Sequence, residues 1–194
     1  MSEIMNRMTQ LMTGGGLQDM SMQIGESEGK TSSAVSAALP ILISALAKNA
    51  STPSGAQALH GALASHDGSI LDNLEGFMSG AGSGPGQAIL GHVLGNRNDA
   101  VQSSIAKASG INLQSAGTLM AMLAPMVMGA LGRHASENKL DASSLAGMLG
   151  REQKSVAASA PDIAGLASRL LDQNADKSIL DDVGGLLGKF LGGS

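Results

Sequence analysis

Cysteine, tryptophan and tyrosine are absent from the chain, and Phe77 and Phe190 are its only aromatic residues. Without cysteine there is no disulfide, no thiolate zinc site and no cysteine nucleophile. Without aromatics a core must be built from Leu, Ile, Val, Met and Ala. Charge is scarce too, at 14% of residues, and the formal balance is −4, so no strongly basic surface exists to draw in nucleic acid or anionic lipid. The usual chemical constellations are also missing. His60, His66, His92 and His134 form no metal pair at helical spacing, no Gly-x-Ser-x-Gly elbow occurs, and Gly80 to Gly86 lacks the Lys-Ser/Thr ending of a phosphate loop. These absences predict a protein that is not an enzyme and binds no cofactor.

What the chain has instead is apolar helix. The 194 residues are enough for a substantial core. Two stretches dominate, Thr31 to Lys48 around Pro40 and Ile111 to Arg133 around Pro125, and from Ile111 to Gly132 no residue is charged. A helix apolar on most faces must be buried, in protein or in lipid. The run Leu119 to Leu131 is too short to span a bilayer, which predicts no transmembrane span, although paired insertion of both helices stays open. Nowhere does a convincing period-2 pattern appear, so the fold class predicted is all-α, a multi-helix bundle with two buried proline-containing central helices.

Caps and breakers predict the remaining elements. Ile4, Met5, Met8, Leu11 and Met12 fall at helical spacing on an amphipathic first helix that Gly14-Gly15-Gly16 should stop. Glu3 and Arg7 within it do not suit a secretory signal, so the expected location is cytoplasmic, with unconventional export left open. A short helix over 17–24 ends at Gly25, Ser27 or Thr31 caps the first central helix, and Pro40 should kink or break it. Ser51-Thr52-Pro53-Ser54-Gly55 reads as a turn with an N-cap signal, a helix follows with Leu59 and Leu63 inward, and another should run from Ser69 to about Met78. Gly80 to Gly86 reads as a linker before a short helix over 87–94. Asn98 or Asp99 should cap a helix with Val101, Ile105 and Ala108 inward, ending at Gly110. Asp141 caps a helix holding Leu145, Met148 and Leu149, Gly150 to Ala160 reads as a polar connection, and Pro161-Asp162 opens a helix with Ile163, Leu166 and Leu170 inward. A last helix is expected over 178–191.

The pattern repeats. Gly25 precedes Pro40 by the same step that Gly110 precedes Pro125, and Leu42, Ala45 and Leu46 align with Val127, Ala130 and Leu131. Ala56, Leu59, Gly61 and Leu63 then align with Ala142, Leu145, Gly147 and Leu149. Finally Asp67-Gly68-Ser69-Ile70-Leu71-Asp72 is echoed by Asp176-Lys177-Ser178-Ile179-Leu180-Asp181, with Gly76 and Gly185 beyond. Three matches in one order predict two copies of a helical unit, 1–95 and 96–194, packed with pseudo-twofold symmetry into one compact domain.

The Gly-rich turn after the first helix, Ala38-Leu39-Pro40-Ile41-Leu42, His66 to Leu71, Leu123-Ala124-Pro125-Met126-Val127 and the closing Leu170 to Val183 together resemble the bacterial YidB-like proteins over nearly the whole chain. That resemblance implies an all-α, homeodomain-like arrangement in a family of unknown function, and it transfers no catalytic or binding residue.

Three surfaces remain as candidates. Asp172, Asn174 and Asp176 take the first, third and fifth places of a calcium loop, with Asp181 or Asp182 as late ligands. Lys177 stands where such a loop needs Gly, Val183 where it needs Glu, and Ser178 to Asp181 also fits a capping box. Ile4, Met5, Met8, Leu11 and Met12 offer a pliable methionine-rich interaction surface, or core. The corner at Gly110 has part of a helix-turn-helix spacing, but the helix after it lacks the polar and cationic residues that read DNA. The function predicted is therefore protein interaction or self-assembly, with a protein partner or a homo-oligomer. A homeodomain-like DNA-binding regulator and a calcium-responsive module are the alternatives.

Overall fold

Four helices begin where a short polar side chain can reach back to a bare backbone N–H. The Ser27 hydroxyl accepts from Lys30 N–H at 3.5 Å, Thr52 Oγ1 from Gly55 N–H at 3.1 Å, Asn112 Oδ1 from Ser115 N–H at 2.8 Å and Asp141 Oδ1 from Ser144 N–H at 2.7 Å. Each satisfies one donor that a helix start leaves without an intrahelical partner. The computed structural model describes residues 3–73, 76–77 and 84–171. In chain order the α-helices are α1 (Glu3–Leu11), α2 (Leu17–Ile24), α3 (Glu28–Asn49), α4 (Pro53–Leu63), α5 (Pro85–Leu94), α6 (Asn98–Ser109), α7 (Leu113–Glu137), α8 (Ala142–Ser159) and α9 (Pro161–Leu171). Among the described residues there is no strand, and the fold is all-α.

The two central helices are α3 and α7. Residues Ala37 to Ala47 are buried without a break, as are Leu119 to Gly132. The core around them holds Ile41, Leu42, Ile43, Leu90, Leu94, Ile105 and the methionines Met8, Met20, Met120 and Met122, all essentially without solvent contact. Methionine fills the irregular gaps that aromatic rings would otherwise fill. α3 packs against α6, α7, α8 and α9, and α7 against α5, α6 and α1. Both central helices are long and apolar enough to cross a membrane by length and composition, with mean hydropathy 1.3 and 1.4. Other helices of the same chain bury 72% and 89% of those windows. The short apolar run seen in sequence thus understates the helix, since α7 has 25 residues.

Several local expectations need correction. Gly14-Gly15-Gly16 does not end the first helix. Met12–Gly16 forms a π-helical turn that carries α1 into α2, the extra residue per turn being accommodated in a stretch whose glycines have no Cβ to crowd. Pro40 does not break its helix in two, since it and Pro125 both lie inside continuous helices. Gly150 to Ala160 is not a connection, because α8 runs on to Ser159 and buries Glu152 and Val156 on the face of Leu145, Met148 and Leu149. Asn98 is the first residue of α6 and not its cap, and Ala108 is exposed while Ala106 and Ser109 turn inward. Ser69–Leu71 is a single 3-10 turn instead of the start of an α-helix. The last helix, 178–191, lies outside the described residues.

Both corners that precede a central helix have the same build. Gly25 ends α2 with φ 68° and Gly110 ends α6 with φ 70°, a left-handed conformation in which a side chain would be strained. Pro40 lies as far beyond the Ser27 cap as Pro125 lies beyond the Asn112 cap. The corners also touch. Glu26 Oε1 accepts from the backbone N–H and from Nδ2 of Asn112, both at 3.2 Å, and Ser115 Oγ donates to the Ile24 carbonyl at 2.9 Å.

Candidate interaction groove

A proline inside a helix has no N–H for the carbonyl four residues before it. In α7 this concerns the Ala121 carbonyl, and in α3 the Ser36 carbonyl. The structure treats the two differently. At Ala121 the start of α5 closes in so tightly that a Cβ on Gly86 would sit 1.9 Å from the carbonyl oxygen. Gly86 is therefore a packing residue inside α5, which corrects the reading of Gly80 to Gly86 as a linker at its last two residues. At Ser36 a groove of about 420 Å³ opens between α1, the π turn, α3 and the end of α8. Ser36 and Pro40 both line it. Met5, Met12, Leu17, Val35, Leu39 and Val156 supply its apolar walls, and Thr9, Thr13, Ser32 and Ser159 also line it.

The methionine-rich surface expected on α1 thus divides. Ile4 and Met8 are buried in the protein's own core, on the side that packs against α7. Met5, Leu11 and Met12 are half-buried, and Met5 and Met12 face the groove. The Arg7 to Glu137 ion pair, 2.7 Å, fixes α1 to the far end of α7. Val35, Leu39, Pro40 and Val156 complete the site; the sequence puts the first three on the buried central helix and Val156 in the stretch that reads as a polar connection. Nothing in their spacing marks them as groove, because that role depends on which neighbour stops short.

A second cleft, about 480 Å³, lies where the ends of α4 and α7 meet, lined by His60, Asp67, Lys139 and Asp141 among others. Its titratable groups hold backbone in place. Asp141 caps α8, and that Ser144 N–H bond, seconded by the Ser144 side chain and the nearby His60, holds its carboxyl below the ordinary value. Asp67 accepts from Ser69 N–H at 2.9 Å and is lowered by that bond first, with Arg133 adding a smaller pull. His60 Nε2 is 2.9 Å from the Leu140 carbonyl, and His66 Nδ1 is 2.9 Å from that of Ala62. Arg133 donates to Asp72 Oδ2 and to the Gly68 carbonyl, each at 2.6 Å, and the Asp72 bond raises its pKa further. No group of three or more metal-ligating side chains comes together among the described residues. The calcium candidates Asp172, Asn174, Asp176, Asp181 and Asp182 lie outside them.

The sequence matches a family described as bacterial protein of unknown function, DUF937, over residues 6–134 and 138–192. No curated protein and no solved structure matches the chain.

Proposed function

The chain belongs to this bacterial YidB-like family, and from that membership and the groove we propose a non-enzymatic protein that works by holding an apolar helical segment of a protein partner between α1, α3 and α8. One observation carries the reading. The two central helices share a cap and a proline register, yet a helix start covers the carbonyl that Pro125 deprives of its donor, while Ser36, whose carbonyl Pro40 deprives, lines an open apolar groove. A segment that fits would bring an apolar face to Leu39 and Val156, and a small residue or N–H to Ser36. Methionine walls adapt to such a ligand at little cost, and a π turn beside the site is a common mark of function. The half-exposed state of Met5 and Met12 supports the same reading.

The occupant we favour is a partner protein, and the test separates it from a second copy. A photo-crosslinking side chain placed at Ser32 should capture one defined partner helix in cells, and purified partner peptide should then bind with micromolar or better affinity. Ser36→Glu, which puts charge into the groove without touching buried core, should lower that affinity at least about tenfold. Capture only of another copy, with scattering showing an oligomer, would replace the partner by self-assembly. An unaltered affinity in Ser36→Glu would remove the groove from the function.

DNA binding has less support. α7, the helix after the Gly110 corner, exposes only Leu113, Gln114, Ser136 and Glu137 at its ends and has no polar face to lay in a major groove. Absence of a gel shift at low salt would end that alternative. For calcium, calorimetry with millimolar ion decides, since a bound ion must release or absorb heat or shift the melt.

A further inference from the structure

The walls of the groove beside Pro40 are not held alike. α3 is packed against α6, α7, α8 and α9, and α8 against α3, α4 and α9. α1 packs against α7 and is pinned there by the Arg7 to Glu137 ion pair. The hydroxyls that line the groove make no tie across it. Thr9 Oγ1 donates to the Met5 carbonyl at 2.9 Å, Thr13 Oγ1 to the Gln10 carbonyl at 3.0 Å and Ser159 Oγ to the Ser155 carbonyl at 2.8 Å, each a bond to backbone just before it in sequence. α1 joins the rest of the chain through the π turn Met12–Gly16. Gly15 there takes φ 106°, and nothing lies within 4 Å of where its Cβ would be. Three successive glycines in an uncommon helical turn, with open space beside them, leave the backbone free to rotate. Size decides that a wall must move. The groove, about 420 Å³, is in the lower part of the range of about 300–1,000 Å³ that takes a small molecule. A helix laid on α3 needs its axis about 8–10 Å away. α1 is the wall with the least holding it.

We propose that α1 is a hinged strap over the groove, swinging on residues 12–16 to admit the partner segment and latched in the narrow state by Arg7 and Glu137. The strap rests on the reading of the groove as the partner's site. Its motion combines a hinge with a shear. Ile4 and Met8, buried against α7, slide along that helix and keep their cover, while Met5 and Met12 on the groove side travel with the strap and close on what has entered. The latch can release, because its side chains are 31% and 50% exposed and an ion pair in that setting is weak and screened by salt. The free end of α1 moves most and the end at the π turn least.

The chain has no native cysteine, so spin labels can be placed without background. Asn6, Ser33 and Ala157 are exposed, and N6C/A157C reports α1 against α8 while S33C/A157C reports the two fixed walls. Double electron–electron resonance should give two distances for N6C/A157C and one for S33C/A157C. Adding R7A should raise the share of the longer distance at least about twofold, as loss of an exposed ion pair allows. A single N6C/A157C distance, unchanged by R7A, would overturn the strap. So would loss of amide protection along α1 in R7A, since a strap moves as an intact helix and a fraying end does not. Anilinonaphthalene sulfonate, an apolar fluorescent probe, gives a second reading. R7C/E137C should bind more of it than the parent, and joining the two cysteines with a short bismaleimide should return binding to the parent level. Equal binding with and without the cross-link would also overturn the strap. An unaltered partner affinity in Ser36→Glu would remove the groove as the partner's site and leave these distances as they are, so the two readings fall separately.

Discussion

At the scale of single residues, glycine shows how little of a role can be read from composition. A Cβ on Gly86 would meet the Ala121 carbonyl oxygen at 1.9 Å, and one on Gly132 the His66 carbonyl oxygen at 1.8 Å. Backbone atoms cannot step aside as a side chain can, so Gly86→Ala and Gly132→Ala should each destabilise by about 1–3 kcal/mol in urea titration. Gly61 and Gly91 are helical too, but nothing lies within 4 Å of where a Cβ would go. There Ala should stabilise by about 0.5–1 kcal/mol through helix propensity alone. The opposite signs test the packing directly. Asp141 gives a prediction in pH. Its carboxyl is depressed from 3.8 in the folded chain, chiefly by the Ser144 N–H. A depressed acid contributes stability that is fully present above its unfolded value and is lost as pH falls through the folded one. Asp141→Asn keeps a capping oxygen but does not titrate. Thermal melts of the variant should therefore match the parent near pH 7 and fall less steeply below about pH 4.

At the scale of elements, caps were the most legible feature and breakers the least. Asp141 starts its helix where its spacing predicts, Ser27 is the cap of the two offered with Thr31, and Thr52 is the cap within the turn Ser51 to Gly55, because a cap is a local interaction between neighbours in sequence. Gly14 to Gly16 and Gly150 to Ala160 misled for the opposite reason. A π turn absorbs the first, and in the second Glu152 and Val156 continue the buried face of α8 through a stretch that looks polar residue by residue. Tertiary burial decided the second, a signal that is not local. Asn112 joins the two regimes. Its side chain caps α7, and its two nitrogens also bind Glu26 of the other corner. Asn112→Ala should therefore cost about 1–2 kcal/mol, near the upper end for a cap, since it removes a cap and a cross-corner bond together. Glu26→Gln should cost less, because an amide oxygen still accepts from Asn112. Denaturant midpoints at constant slope measure both.

At the scale of the whole molecule, the two central helices take their cover from opposite halves of the chain. α3 belongs to the first half, yet α6, α8 and α9, which cover it, belong to the second, and α5 of the first half is the main cover of α7. An isolated 1–95 fragment would leave Ala37 to Ala47 largely uncovered, a helix apolar on nearly every face. Exposed apolar surface on that scale drives aggregation or insertion into lipid. The fragment should accordingly lack a cooperative melt, and either precipitate or partition into vesicles, while the full chain unfolds in one transition. Mixing 1–95 with 96–194 should restore a folded, helical complex, because each fragment carries the cover the other lacks. Two separate cooperative melts from the isolated fragments would show that the halves are domains in their own right and that the sharing of cover between them is incidental. A restored complex would instead show that the sharing itself holds the fold together, with the groove beside Pro40 as the place where that cover is left incomplete.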